Sequence, residues 1–133
     1  SSGKLMNLLT FKPQLGHITT FGGHPVNCAA SLACLEHLTS SDLMKKIANK
    51  EQLFRKNLNH PKIKEIRGKG LMLAIELGDE NLARKLVEKS LEMGLILFYF
   101  LFSKTSVRIT PPLTISEEEI IKGCIIINSV LEE

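Results

Sequence analysis

The apolar residues of this chain change their spacing at Pro61, and that change constrains the fold more than any other feature of the sequence. Before it, Leu43, Ile47, Phe54 and Leu58 recur at helical spacing, with Lys and Glu on the other face. After it, Leu71, Leu73, Ile75 and Leu77 alternate with Met72, Ala74 and Glu76, the period of a half-buried strand. Ile63 and Ile66 stand ahead of Gly68 and Gly70, so a strand pair turning near Gly68 is expected. A chain that carries both periods must lay helices on a sheet.

The remaining segments extend that pattern. The first 23 residues have little regular periodicity. Pro25 suits a first helical position, and Val26, Ala29, Ala30, Ala33 and Leu35 follow it as an Ala-rich surface. Ser40-Ser41-Asp42 interrupts this helix and offers caps for the next. Gly78-Asp79 breaks the alternating strand, and Leu82, Leu86, Val87 and Leu91 form another amphipathic helix. Gly94 sits where a left-handed C-terminal cap belongs. Leu95 to Leu101 reads as a buried strand and Ser106 to Thr110 as a short one stopped by Pro111-Pro112. Ser116 with Glu119 makes a capping box for a last helix through Ile120, Cys124, Ile127 and Leu131. The expected class is α+β, a small, mainly antiparallel sheet with helices on one face, with an internal boundary near Thr39 to Ser41.

Length and charge narrow the functions. At 133 residues the chain is about one ordinary domain. Its net charge of +3 comes from cations scattered among acids, and four of its seven aromatics fall in the single run Phe98 to Phe102. A nucleic-acid groove needs clustered cations interleaved with stacking rings, so no nucleic-acid partner is expected. The longest apolar run, Leu95 to Phe102, has eight residues, against about 20 for a membrane-spanning helix. No membrane role is expected. Three cysteines make no disulfide framework, and Cys28, Cys34 and Cys124 read as small core residues in a reducing, cytoplasmic compartment.

Three segments could carry chemistry. Thr19-Thr20-Phe21-Gly22-Gly23-His24-Pro25 places two hydroxyls and two glycines before a helix start, either an anion site or a turn feeding a capped helix. Arg108 lies on a strand end ahead of Pro111-Pro112. It is either a guanidinium held to grip a carboxylate, or an edge-strand Arg facing solvent or a surface acid. Ile66-Arg67-Gly68-Lys69-Gly70-Leu71 reads as a strand connection, with Arg67 and Lys69 pointing to water. Cys34 and His37 are three apart on a helix but have no second ligand pair, so no metal site is expected. On these residues alone, a small α+β binding or interaction domain without catalysis remains open.

Three segments in the same order resemble the class III pyridoxal-phosphate aminotransferases, in particular the ornithine and acetylornithine types. They are Leu15 to Pro25 with the Ala-rich helix behind it, Ile66-Arg67-Gly68-Lys69-Gly70-Leu71-Met72, and Val107-Arg108-Ile109-Thr110-Pro111-Pro112-Leu113. The resemblance implies a fold-type I architecture, with residues 1–39 a C-terminal piece of the large cofactor-binding domain and 40–133 the small C-terminal domain. It implies pyridoxal 5'-phosphate as cofactor, an amino acid or amine and a 2-oxo acid as substrates, and a homodimer. Thr20, with Thr19 beside it, matches the Thr that meets the cofactor phosphate across the dimer interface. Arg108 matches the Arg that holds a substrate carboxylate. His24 stands where Asn is commoner and is given no role.

In that family the Schiff-base lysine, the Asp that pairs with the pyridine nitrogen and the Gly-rich phosphate loop all precede the Thr-Phe-Gly-Gly segment. None of the lysines here matches that position, so this chain alone is expected to be inactive.

Overall fold

The computed structural model describes residues 2–9 and 19–133, in two compact units, Ser1–Ser41 and Asp42–Glu133. The first unit holds α1 (Gly3–Asn7) and α2 (Pro25–Ser40). The short α1 was not foreseen; the Ser2 hydroxyl caps it by accepting from Leu5 N. Pro25 opens α2 as expected, at the position where its missing N–H leaves no bond unmade. Neither helix has a buried residue. Cys28 and Cys34 are therefore exposed, against the expectation that they are core residues. Phe11, and the Leu15 to Ile18 part of the first motif, lie outside the described residues.

The second unit is the expected α+β layout: α3 (Leu43–Asn57), β1 (Glu65–Lys69), β2 (Met72–Glu76), α4 (Glu80–Glu92), β3 (Phe98–Tyr99), β4 (Ser106–Ile109) and α5 (Glu117–Glu132). The four strands form one antiparallel sheet in the order β1-β2-β4-β3. The registers Ile66↔Ile75, Ile75↔Val107 and Leu73↔Ile109 put the apolar residues of three strands on one face. There they join Leu86 of α4 and Ile120, Cys124, Ile127 and Leu131 of α5 in a single core. Every member of that core lies between Phe54 and Leu131, so this unit carries a complete core of its own.

Local chemistry sets the element ends. Asp79 accepts from Leu82 N at the start of α4, and Gly94, at φ 84°, follows its last turn. The predicted capping box forms in full: Ser116 Oγ accepts from Glu119 N, and Glu119 accepts from Ser116 N.

The hairpin turn lies one step later than expected, at Gly70-Leu71, because Lys69 pairs with Met72. Gly68 is inside β1 at φ 118°, where a Cβ would stand 2.1 Å from the Met72 carbonyl oxygen. Helix α3 holds this hairpin from the side. Arg55 donates to the carbonyls of Ile66 and Gly68 at 2.7 and 2.9 Å, while Glu51 accepts from Gly70 N. The two glycines thus do structural work.

The expected strand Leu95 to Leu101 is the main correction. Only Phe98 and Tyr99 pair, on the sheet edge, and Leu101 and Phe102 are 89% and 97% exposed. A run of apolar residues reads as buried by composition, yet both residues of this edge strand are exposed, and the one buried side chain of the run is Leu97, just before it.

Candidate functional site

The first candidate lies in the unit of α2. Thr19 and Thr20 are exposed and stand directly before the turns that lead into the helix. Gly22 N donates to the Thr19 carbonyl and His24 N to that of Phe21. A Cβ at Gly22 would come within 2.2 Å of Thr19 Oγ1, so the glycine is what lets this hydroxyl sit against the backbone. Gly23 takes φ 75°, and His24, the N-cap, makes no side-chain cap bond to the helix start. The exposed hydroxyls and the uncapped amide end of α2 are donors of the kind a phosphate dianion requires. They fit the phosphate of a cofactor.

The second candidate lies on the sheet face away from the core. The registers Arg67↔Ala74, Ala74↔Arg108 and Phe98↔Arg108 align these four side chains across that face. The Arg108 guanidinium lies over the Phe98 ring, 5.2 Å from its centroid. Arg55, Arg67 and Arg84 each have a carboxylate within 3.5 Å, from Glu51, Glu76 and Glu80 respectively. Among the described residues Arg108 has none, and its Nε is shut off from solvent without an acceptor. A buried donor left in that state costs about 1–3 kcal/mol.

Lys50 steadies the same region. Its side chain is buried and donates from Nζ to the Leu113 carbonyl at 2.7 Å, tying α3 to the segment that follows Pro111-Pro112. Beside Arg108 lies a cavity of about 380 Å³, walled by Phe54, Leu97, Phe98, Pro112 and Ile127.

The structure also corrects the reading of Arg67, which does not simply point to water. It donates to Glu76 Oε2 at 3.3 Å and to Ser106 Oγ at 2.9 Å. Ser106, fully buried, donates to the same Glu76 oxygen at 2.6 Å, and Gly78 N donates to Oε1 at 2.8 Å. The hydroxyls of Ser106 and Thr105 first, then the Gly78 amide and Arg67, bring the Glu76 carboxyl down to about 2 against the opposing pull of burial. This cluster consumes its own charges and leaves none for a ligand.

Sequence reasoning missed Phe98 as the partner of Arg108, and the Glu76 cluster. Glu65, Arg67 and Glu76 share a parity across the hairpin, which was a usable signal. Nothing in the sequence placed Phe98 opposite Arg108. Cys34 and His37 gain no further ligand, since no group of three His, Cys, Asp or Glu side chains gathers among the described residues.

Comparison with known proteins agrees on one family. The family model described as aminotransferase class-III matches residues 3–131. An acetylornithine aminotransferase of Caldanaerobacter subterraneus subsp. tengcongensis is 40% identical over 128 residues, covering 92% of this chain and 32% of that protein. An ornithine aminotransferase of Brevibacillus brevis is 37% identical over 116 residues, 85% of this chain and 28% of that protein. Among solved structures, the acetylornithine aminotransferase of Elizabethkingia anophelis superposes with a TM-score of 0.76 at 31% identity, over 88% of this chain and 32% of that one. The chain spans about a third of the length of the curated relatives it matches.

Proposed function

The chain belongs to the class-III aminotransferases, and from that premise we propose that it forms the C-terminal part of an enzyme moving an amino group from an amino donor to a 2-oxo acid. Enzymes of this family use pyridoxal phosphate, which supplies an electron sink for the bonds at the reacting carbon. In this reading residues 1–39 belong to the large domain and 40–133 are the small domain. The lysine that carries the cofactor is contributed by other parts of the polypeptide, so the isolated 133-residue chain does not turn over.

Each local site has a role in this scheme. Thr20, with Thr19, donates hydroxyls to the cofactor phosphate of the partner subunit in a homodimer, and the open amide end of α2 adds to the same attraction. Arg108 binds a substrate carboxylate through paired N–H donors and orients the substrate by that grip. The observation that carries the assignment is that, among the described residues, no carboxylate reaches Arg108 while Arg55, Arg67 and Arg84 each have one. A cytoplasmic location completes the scheme. No helix among the described residues is long and apolar enough to cross a membrane.

A stand-alone binding domain would account for the self-contained core of Asp42–Glu133. It gives no reason for α2, which has no buried residue and exposes Val26, Leu32 and Leu35. A helix of that kind fits a segment whose packing partners belong to a larger body.

The test is Arg108→Gln in the complete enzyme. Loss of a charged two-point contact costs about 2–4 kcal/mol, so kcat/KM for a carboxylate substrate falls roughly 30- to 1000-fold, mainly through KM. An unchanged kcat/KM removes Arg108 from the site. Turnover by the 133-residue chain alone would refute the division of labour.

A further inference from the structure

We propose that the Arg55–Glu51 pair of α3 is a latch on the β1 edge of the sheet, and that its release lets β1 pair with β1 of a second copy of this chain. The inference does not depend on the aminotransferase reading.

In the strand order β1-β2-β4-β3, β1 is an edge, and an unguarded edge is a template for another strand. Lys69 faces Met72 across the two-residue turn Gly70-Leu71. A turn of that length closes on a hydrogen-bonded pair, so Lys69, Arg67 and Glu65 direct their amides and carbonyls inward to β2. The alternation turns those of Ile66 and Gly68 outward, away from the sheet. Those two carbonyls are the ones Arg55 takes, Ile66 O from Nη1 at 2.7 Å and Gly68 O from Nη2 at 2.9 Å. Its Nε donates to Glu51 Oε1 at 2.9 Å, and the other Glu51 oxygen accepts from Gly70 N. The planar guanidinium thus bridges both outward carbonyls from a helix that fixes its position. An incoming strand needs the same two carbonyls, so it cannot pair until the fork withdraws.

The chemistry of the freed edge fits a second copy laid antiparallel and centred on Arg67. That register sets Ile66 against Gly68 of the second copy, and Gly68 against its Ile66, so the outward groups meet in four backbone hydrogen bonds. It also sets Glu65 against Lys69 of the second copy at both ends, a favourable cross-strand pair of opposite charges. Glu65, Arg67 and Lys69 are all exposed, so nothing must be unpacked to bring them together. The two Arg67 side chains meet at the centre, each already held at 3.3 Å by Glu76 of its own copy.

The test compares the 133-residue chain with its Arg55→Met variant, both labelled with 15N, by sedimentation and by amide hydrogen exchange at low and high concentration. Methionine keeps the apolar stem of the side chain and removes the donors. The variant should associate with itself at least about tenfold more tightly than the parent, its Ile66 and Gly68 amides gaining protection as the concentration rises. Adding Glu65→Lys sets Lys against Lys and should reverse the gain. Arg55→Lys keeps the charge but has no fork to bridge two carbonyls, so it should fall between parent and Arg55→Met. If Arg55→Met does not fold, Arg55→Lys carries the same comparison. If neither variant associates more tightly than the parent, the latch is overturned. It is overturned equally if the added association leaves the Ile66 and Gly68 amides unprotected or survives Glu65→Lys, since another surface then joins the copies. Protection of those two amides in the parent at high concentration also overturns it, because the edge then pairs with Arg55 in place.

Discussion

Replacing Glu76 by Gln should remove most of the acid sensitivity of the sheet unit. In the folded protein its carboxyl is held at about 2 instead of 4.5, chiefly by the buried Ser106 hydroxyl. At about 1.4 kcal/mol per pH unit, that depression stores about 3 kcal/mol of stability in the ionised form. Because the folded value lies below the unfolded one, the stabilisation is complete above about pH 4.5 and drains away as the pH falls toward 2. The side chain is only 18% exposed, so the conversion is little reduced by solvent. Arg67, at 43% exposure, contributes the part that salt screens.

Urea unfolding at a series of pH values measures this directly. Tyr99 on β3 is the single tyrosine of a chain without tryptophan, so its fluorescence reports on the sheet. The unfolding free energy of the unsubstituted chain should fall about 3 kcal/mol further than that of Glu76→Gln between neutral pH and about pH 2. Ser106→Ala should flatten the difference more than Arg67→Gln does. Parallel pH profiles for the parent and Glu76→Gln would refute the reasoning, since the carboxyl would then titrate alike folded and unfolded.

Other substitutions test other parts of the account. Gly68→Ala places a methyl against the Met72 carbonyl at a φ that L residues avoid, and should cost more than about 2 kcal/mol in the same unfolding assay. Ser116→Ala opens the capping box of α5 and should cost about 1 kcal/mol. A thiol reagent added to the isolated chain should label Cys28 and Cys34 rapidly. Cys124, buried and with its thiol pushed up to about 12, should react only once the chain is unfolded.

The features legible in the sequence are those set within a few residues. The capping box at Ser116 and Glu119, Pro25 at the start of α2 and Gly94 after α4 each depend on one turn of backbone. The alternation from Leu71 to Leu77 identified the central strand because a pleated strand with one covered face repeats every second residue. The three ordered motifs identified the family for a related reason: each is a short contiguous stretch that can be matched without knowing where the chain places it.

The misreadings involve residues whose fate depends on distant chain. Leu95 to Phe102 has the composition of an interior strand, but the strand order left Phe98 and Tyr99 on an edge, with nothing described beyond them to cover Leu101 and Phe102. Arg67 meets Ser106, 39 residues away, and only the register of β2 on β4 brings the two together, so its neighbours in sequence give no sign of the contact.

Arg108 divides the two kinds of information most clearly. Its strand and the Pro-Pro stop behind it can be read from the order of the amino acids, since both are matters of local backbone geometry. That Phe98 lies under the guanidinium and that no described carboxylate reaches it are set by the packed chain alone. Pairing across a sheet joins segments that local preference cannot align, and a charge becomes free to bind a ligand only when every neighbour that could neutralise it has been placed elsewhere.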